Sequence, residues 1–387
     1  GGDAVVAWKD RVADLNQLST AATLKIAYTP ASPSEHLLKA LAAHFNIDRL
    51  KRDRAAWSVE VNGAEDAYAR LMKREVDAAA LWEPYVTEAV GRPGIVKLIG
   101  SEDMEKLIVD ILLVNRRFAR EKGDLVKLFL KCYFETLGVY RAAERQLEDD
   151  IVRSVKLDAA RVKYMLKGVR WISFAENAGW FGLQSTPAQG SPELIGSIMS
   201  TASILIESGD FRENPLPDRD PYTIVNSGFI ADLEKSTSLN FAGGGVPGGS
   251  PSRKFTRLTE AQWNGLRVVG SLRLRPVSFR SGIESLDDAG REQVKLIAES
   301  IRHYPNYRIL VKGHTGLRGD PAENVKLSQL RASSVGQELV AAWRIDPNRV
   351  HVRGMGASEP LPKETDESDR SYNNRLKRVE VLFVTGM

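Results

Sequence analysis

A stretch rich in glycine, proline and serine divides this chain of 387 residues into two unequal parts. It covers residues 236–256 and contains five glycines and two prolines. Such a stretch does not form a helix or a strand, because glycine is too flexible and proline lacks a backbone donor. We therefore predict a flexible linker between an N-terminal part, residues 1–235, and a C-terminal part, residues 257–387.

The N-terminal part alternates apolar, strand-like runs with helical patterns. The sequence predicts strands over residues 21–28 and 76–82, a short strand at Val59 and Val61, and helices between them. Residues 118–168 have an almost entirely helical pattern, in which Lys, Arg and Glu separate the apolar positions. This alternation is typical of the α/β class, in which helices cover a largely parallel sheet.

The C-terminal part has its own order of elements. Apolar spacing predicts a helix through Val294, Ile297 and Ile301, with acidic residues in its first turn. The other predicted elements are strands over residues 265–279, 307–312, 350–352 and 379–384, and a helix over residues 324–343. The resulting β-α-β-α-β-β order predicts a compact two-layer α/β sandwich.

One segment of the C-terminal part, residues 313–335, combines a turn that contains glycine with a polar helix face. Asn324, Ser328 and Arg331 share this face, because steps of four and three residues return to nearly the same angle. Arginine suits a carboxylate, since its planar guanidinium donates two parallel hydrogen bonds. The pattern therefore favours a small anion site at the start of this helix.

The same segment resembles the OmpA-like peptidoglycan-binding domain, whose signature is G-H-T-D, a short loop and N-x-x-L-S-x-x-R-A-x-x-V. The matching positions are Gly313, His314, Thr315, Asn324, Leu327, Ser328, Arg331, Ala332 and Val335. The resemblance covers residues 265–387 and implies that the domain grips the diaminopimelate of the peptidoglycan stem peptide. It assigns Arg331 to the ligand carboxylate, and an aspartate after G-H-T to the ligand ammonium.

The sequence departs from the signature at one point, because Gly316 occupies the position of that aspartate. Asp320, in the following loop, is one candidate for the missing carboxylate; otherwise the domain holds peptidoglycan weakly or serves as a scaffold. We expect His314 to order the turn rather than to contact the ligand. The predicted peptidoglycan site consists of Arg331, Asn324, Thr315, Asp320 and Ser328.

The N-terminal part resembles the periplasmic solute-binding proteins of the nitrate, sulfonate and thiamine-precursor type. The resemblance is carried by residues 1–8, 24–45, 76–89 and 112–119. It implies two lobes of the type II periplasmic-binding-protein fold, with residues 23–105 as lobe two and residues 1–22 and 106–235 as a remnant of lobe one. Because the opening portion of lobe one is missing, we expect either a partner chain that supplies it or a longer gene product.

Two groups of residues are candidates for contact with a solute. The first group is Ser32 and Ser34, and the second is Trp82, Glu83 and Tyr85. The two serines lie at a helix start, where amides and hydroxyls suit a polar or anionic ligand, but simple helix capping is an alternative. The second group follows a buried strand, where α/β folds place ligand-contacting residues, with core packing as the alternative for the tryptophan. Trp171, Asn177 and Trp180 belong either to the opposite wall of the site or to the core.

Composition argues against several other functions. The single cysteine, Cys132, excludes an intrachain disulfide, a cysteine-based zinc site and an iron–sulfur cluster, and it opposes the cysteine-dependent thiamine-precursor enzymes of this fold. The five histidines lack metal-binding spacing, and there is no G-x-S-x-G elbow, so we expect no metal, no cofactor and no catalysis. A formal net charge of +4 gives no support for a nucleic-acid partner.

We therefore expect a non-catalytic protein of the periplasm or cell envelope. In the leading interpretation, the OmpA-like domain anchors the chain to peptidoglycan, and the linker is a leash for a module that binds a small polar or anionic solute. In the alternative, the binding-protein fold has lost its ligand and docks a partner protein of the envelope.

Overall fold

The structure, a computed structural model, describes residues 2–21, 23–51, 54–104, 106–155, 157–167, 169–183, 192–236, 255–280 and 284–386. Most of the predicted linker, residues 237–254, lies outside the described residues, so its flexibility stays a prediction. Within the described ranges, no helix has both the length and the apolar character that crossing a bilayer requires.

A mixed sheet of five strands organises the described residues of the N-terminal part. The strands are β1 Asp3–Trp8, β2 Ile26–Tyr28, β3 Ser58–Glu60, β4 Ala78–Trp82 and β5 Ile95–Gly100, in the order β3-β2-β4-β1-β5. β2 pairs in parallel with β3 and β4, whereas β1 runs antiparallel to β4 and β5. Apolar side chains cover both faces of this sheet, which explains why its strands read as continuous apolar runs.

Short and medium helices surround this sheet and continue beyond it. The helices near the sheet are α1 Gln17–Thr20, α2 Pro33–His44, α3 Asp48–Lys51, α4 Arg54–Trp57, α5 Ala64–Met72 and α6 Tyr85–Val90. Those that follow are α7 Arg116–Glu121, α8 Gly123–Ala142, α9 Glu144–Val155, α10 Ala159–Lys167, α11 Phe174–Trp180, α12 Glu193–Glu207 and α13 Gly228–Ser236. A small core of its own joins α8, α11 and α13 through Phe134, Phe174 and Ile230. The helical pattern predicted for residues 118–168 is therefore confirmed.

The C-terminal part is a two-layer sandwich. Its strands are β6 Arg267–Ser271, β7 Arg308–Gly313, β8 Val350–Gly354 and β9 Val379–Thr385, in the order β6-β9-β7-β8. Its helices are α14 Glu260–Asn264, α15 Asp288–Arg302, α16 Pro321–Ala341 and α17 Asp369–Leu376. β7 pairs in parallel with β8, and β9 runs antiparallel to β6 and β7. The buried residues of α15 and α16 belong to the same core as the inner face of this sheet.

The predicted α/β class and β-α-β-α-β-β order are thus confirmed, with one addition. The structure inserts the short helix α17 between the last two strands. The sequence gives little sign of α17, because Leu376 is its one buried residue and most of the others are polar. Without an apolar face, a helix has no periodic pattern to recognise.

Strand β6 lies at the edge of the C-terminal sheet, and backbone groups of the N-terminal part form hydrogen bonds with it. The amide of Leu15 donates to the carbonyl of Val269 (3.0 Å), and the amide of Asn46 donates to that of Ser271 (3.1 Å). The amide of Arg273 donates in turn to the carbonyl of His44 (2.8 Å). Edge strands carry unpaired backbone groups that readily bind another segment, and here segments of the N-terminal part take that place.

Aromatic packing extends this contact into a core that both parts share. The ring of Phe45 lies 5.3 Å from that of Tyr304 and 6.0 Å from that of Phe383, and Nδ1 of His44 lies 2.7 Å from the hydroxyl of Tyr304. Gly270 makes room for this packing, since a Cβ there would lie 2.9 Å from Cδ1 of Phe45. The two parts therefore have a defined orientation, which differs from the free orientation expected of a leash.

Candidate functional site

The strand-to-helix junction between β7 and α16 is built on close backbone contact. A Cβ on Gly313 would overlap the carbonyl oxygen of Ser328, and a Cβ on Gly354 would overlap backbone atoms of α16. The ends of the parallel strands β7 and β8 thus lie directly against the first turns of the helix. Glycine is required at both positions, because any other residue would push the helix away.

Ser328 fastens this junction. Its hydroxyl donates to the carbonyl of Val325 (2.8 Å) and accepts from the amide of Gly356 (2.9 Å). The carbonyl of Gly356 accepts in turn from the amide of Thr315 (2.8 Å). Ser328 is fully buried, so the structure places this predicted site residue inside the scaffold that positions the loop.

Asp320 and Asn324 shape the start of α16. Oδ1 of Asp320 accepts from the amides of Ala322 (2.9 Å) and Glu323 (3.0 Å), as a helix N-cap does. Nδ2 of Asn324 donates to the carbonyl of Arg318 (3.1 Å). Both residues lie where the sequence predicts the site, but their described hydrogen bonds serve the loop and the helix.

The residues after β7 and the helix α16 also carry buried polar atoms that have no hydrogen-bond partner among the described residues. Nε of Arg331, Oγ1 of Thr315 and Nδ1 of His314 are buried, and no hydrogen-bond partner for them occurs among the described residues. The guanidinium carbon of Arg331 also lies 5.3 Å from the centroid of the Phe279 ring. Buried polar groups without partners cost free energy, so atoms of this kind mark a place where a ligand or water completes the hydrogen bonding.

Asn373 fills the space beside Gly316. A Cβ at residue 316 would overlap the carboxamide of Asn373, whose Oδ1 accepts from the amide of Leu317 (3.1 Å). The side chain of Asn373 therefore occupies the volume in which a side chain at position 316 would begin. The sequence did not indicate this contact, because the two positions lie far apart along the chain.

His314 also belongs to a cluster with Glu359 and Glu380, whose ligand atoms lie within 4.8 Å of one another. Burial raises the pKa of Glu380, but the adjacent His314 ring and the charge of Arg378 together lower it to about 2. Arg378 pairs with Glu380 at 2.6 Å, and Lys312 pairs with Glu359 at 3.0 Å. These two cations already neutralise the carboxylates, so the donor set is a poor fit for a metal ion.

A second polar group lies at one edge of the N-terminal sheet, where β2, β4 and β5 end and β1 begins. The amide of Asp3 donates to the hydroxyl oxygen of Ser101 (3.2 Å), and the hydroxyl of Ser34 donates to Oδ1 of Asp3 (3.2 Å). All three residues are buried, and burial raises the pKa of the Asp3 carboxyl. The sequence predicted Ser34 as a site residue but not Asp3 or Ser101. The one sequence feature that could have indicated Asp3 is its position directly ahead of an apolar strand.

The other predicted solute-contacting residues have structural roles. The hydroxyl of Ser32 caps α2 by accepting from the amide of Glu35 (3.4 Å), and Oε2 of Glu83 accepts from the amide (3.1 Å) and hydroxyl (2.8 Å) of Thr87. The half-buried side chains of Trp82 and Tyr85 pack against the core on one face of the sheet. Arg54 and Lys39 form ion pairs with the carboxylate of Glu35. These cations offset the negative charge that would otherwise repel an anionic ligand.

The helix α8 has two apolar faces, and the described residues cover one of them. Val126, Phe134 and Leu137 are buried. On the other face the exposed apolar side chains, between 42% and 56% accessible, are Leu125, Leu128, Phe129, Tyr133 and Val139. A groove of about 340 Å³ lies along this bare face between α8, α9 and Trp171. Of the two other residues considered for an opposite wall, Asn177 donates to the carbonyl of Ser173 and Trp180 ends α11.

Comparison with known proteins identifies the C-terminal part. Residues 278–374 match the OmpA family model. The chain is 28% identical over 100 residues to outer membrane protein Omp38 of Acinetobacter baumannii, which covers 26% of this chain and 28% of that protein. It is 27% identical over 104 residues to the peptidoglycan-binding protein ArfA of Mycobacterium bovis, covering 27% of this chain and 32% of that protein. The chain thus spans about a third or less of the length of these relatives.

The family match confirms the predicted resemblance to the OmpA-like domain, and with the outer-membrane and lipoprotein relatives it places the chain in the cell envelope. The periplasmic aliphatic sulphonate binding protein SsuA of Escherichia coli is similar at 15% identity and a TM-score of 0.43, over 59% of this chain and 70% of that one.

Proposed function

We propose that this chain is a non-catalytic envelope protein whose C-terminal domain attaches to peptidoglycan. The observation that carries the proposal is the buried Nε of Arg331, which, like the buried Oγ1 of Thr315, has no hydrogen-bond partner among the described residues. A guanidinium held in this way is prepared for a carboxylate, because the ligand supplies the hydrogen bonds that the protein leaves unmade. The diaminopimelate of the stem peptide offers such a carboxylate.

The remaining predicted site residues have distinct parts in this proposal. Arg331 and Thr315 contact the ligand, whereas Asn324, Asp320 and Ser328 are positioning residues that hold the loop and the helix start. Their described hydrogen bonds support this division, since those of Ser328 and Asp320 go to backbone groups of the protein. The OmpA family match and the peptidoglycan-binding relative support the ligand class.

Co-sedimentation of the full chain with purified peptidoglycan that contains diaminopimelate tests this function. We expect Arg331→Ala to weaken binding by about tenfold or more, because a charge-assisted contact contributes about 1.5–3 kcal/mol. Lys326→Ala is the matched control, since it removes one positive charge from an exposed position of the same helix. Equal pelleting of the wild type and Arg331→Ala would contradict the proposal.

We further propose that the N-terminal module binds a small polar solute at the sheet edge formed by Asp3, Ser34 and Ser101, with Ser32, Trp82, Glu83 and Tyr85 around it. A thermal-shift screen with anions, sulfonates and amines is the direct test. A true ligand at 100 times its Kd raises the free energy of unfolding by about 2.7 kcal/mol. A screen without any shift would favour the second candidate function below.

In that second candidate function, the N-terminal module docks a partner protein of the envelope. The bare apolar face of α8 favours it, together with the preceding residues Ile111, Leu112 and Leu113, which are 60%, 55% and 82% exposed. Residues 109–115 form no strand pairing with the described part of the chain. A surface with this many exposed apolar side chains is unusual on a monomeric soluble protein and is typical of a protein–protein contact.

A further inference from the structure

A segment of the N-terminal part, residues 109–115, leads into α7 without joining a sheet. Every residue of this segment is exposed, and Leu113, 82% accessible, lies in open solvent at its centre. Aliphatic side chains in such a row are typical of a strand that packs against a neighbour. Among the described residues, no strand pairs with this segment.

The segment is held at both ends and bare between them. Leu107 ahead of it is buried, and Asn115 at its end caps α7, because its Oδ1 accepts from the amides of Arg117 (3.0 Å) and Phe118 (3.2 Å). Between these two points the backbone forms no hydrogen bond with any other described residue. A backbone that is fixed in place but keeps open donors and acceptors is ready to pair with a further strand.

Charges of opposite sign stand on the two sides of Leu113, at equal distances along the chain. Asp110 precedes it and Arg116 follows it, and neither forms an ion pair within the described ranges; the guanidinium of Arg116 donates to the carbonyl of Thr223 (3.3 Å). If two identical segments run antiparallel with Leu113 opposite itself, each Asp110 lies opposite the Arg116 of the other copy. The segment is therefore complementary in charge to itself.

We propose that two copies of this chain associate through residues 111–115, which form an antiparallel ladder about a two-fold axis at Leu113. In this register Leu112 lies opposite Val114 of the other copy, so aliphatic side chains meet across the ladder. Two-fold contacts suit such a segment, because one patch serves both subunits. The inference rests on the second candidate function, since it names the protein that docks there, and is independent of attachment to peptidoglycan.

Sedimentation velocity of the full chain over a range of concentrations measures this association. We expect a monomer–dimer equilibrium for the wild type. Leu113→Lys should raise the Kd of the dimer by about tenfold or more, because it places two like charges directly opposite each other. Leu128→Lys is the matched control, since it adds the same charge at a leucine of α8 that is 56% exposed. Its Kd should stay within about threefold of the wild-type value.

Reversal of the two charges tests the register. Asp110→Arg or Arg116→Asp alone places like charges opposite each other at both ends of the ladder. Each should weaken the dimer by about tenfold, since an exposed ion pair contributes up to about 1 kcal/mol and occurs here twice. The double variant restores opposite charges and should return the Kd to within about threefold of the wild type. Damage to the fold of the monomer would not be rescued in this way.

A cysteine on the two-fold axis gives an independent readout. In a Cys132→Ser background, Leu113→Cys should form a disulfide-linked dimer on mild oxidation, because opposite residues of an antiparallel pair have Cα atoms about 4.5–5.5 Å apart. Ile111→Cys is the control. Its two copies would lie about 13 Å apart along the ladder, which is too far for a disulfide.

Two results would overturn the inference. The first is a chain that stays monomeric at every concentration and gives no crosslink at position 113. The second is a dimer that Leu128→Lys dissociates and Leu113→Lys leaves intact, because the contact would then be the apolar face of α8. Neither result affects the proposed attachment to peptidoglycan, which co-sedimentation tests separately, and the thermal-shift screen still decides between a solute and a docked protein.

Discussion

Gly313 determines how closely β7 can approach α16, because its missing side chain leaves room for the carbonyl of Ser328. We expect Gly313→Ala to lower the free energy of unfolding by about 1–3 kcal/mol, since the added methyl forces strand and helix apart. Chemical denaturation measures the change. Gly138→Ala is the control, because Gly138 lies within α8 with no atom near its would-be Cβ, and alanine there should stabilise by up to about 1 kcal/mol.

His44 makes the contact between the two parts sensitive to acid. Burial first, and then the neighbouring His303, His36 and Lys51, lower the pKa of His44 from 6.5 to about 3. The unfolded chain therefore takes up a proton at His44 as the pH falls below 6.5, whereas the folded chain does not. The stability is fully present above pH 6.5 and falls by about 1.4 kcal/mol for each pH unit between 6.5 and 3.

Denaturation midpoints measured at pH 7, 6 and 5 test this dependence. His44→Gln should lose most of the slope between pH 6.5 and 5, because glutamine does not titrate and can still bond to the hydroxyl of Tyr304. The difference between the two proteins isolates His44 from carboxylates, whose protonation affects stability mainly at lower pH. Identical slopes in both proteins would contradict the assignment.

Single residues of the site were predictable only where the sequence carries a motif. Arg331 and Thr315 follow from the OmpA-like signature over residues 313–335, and the structure leaves buried polar atoms of both without partners among the described residues. Asn373 and Asp3 did not follow, because their roles depend on contacts with chain positions far away. A one-residue feature such as Gly316 shows that something is missing, but not which side chain takes the space.

Among the helices, α8 illustrates why the apolar pattern of an element does not predict which other element packs against it. Its sequence predicts a helix, and the described residues cover only the apolar side that carries Phe134. Periodicity indicates which residues avoid water and says nothing about what they pack against. The helices α15 and α16 of the OmpA-like domain were predictable for the opposite reason, because each has one apolar face and a single sheet to meet it.

Two phenylalanines on α8 allow a matched test of its faces. Phe134 is 4% exposed and Phe129 is 55% exposed. We expect Phe134→Ala to lower the free energy of unfolding by about 3–5 kcal/mol, since it opens a cavity in a packed core. Phe129→Ala should change it by about 0.5 kcal/mol or less, as exposed substitutions do. A large effect of Phe129→Ala would mean that the bare face is covered in solution, by a second copy or by residues outside the described ranges.

For the molecule as a whole, the contact at β6 decides whether the two parts act as one body or two. Neither part shows this contact in its own pattern, since Phe45 reads as the last apolar residue of a helix and Gly270 as a weak point in a strand. Only their combination creates the shared core around Tyr304 and Phe383. Joined in this way, the C-terminal part transmits its orientation to the N-terminal part, whereas a leash would not.

Gly270→Val tests this rigid attachment. A Cβ at position 270 would lie 2.9 Å from Phe45 and 3.1 Å from Leu15, so valine must displace the N-terminal part, although valine itself suits a strand. We expect small-angle scattering to report a larger radius of gyration and calorimetry to resolve two transitions in place of one. Arg267→Val is the control, because it places the same side chain at an exposed position of the same strand. A wild type that already unfolds in two independent transitions would show that the shared core does not couple the parts, and the leash would then describe the molecule.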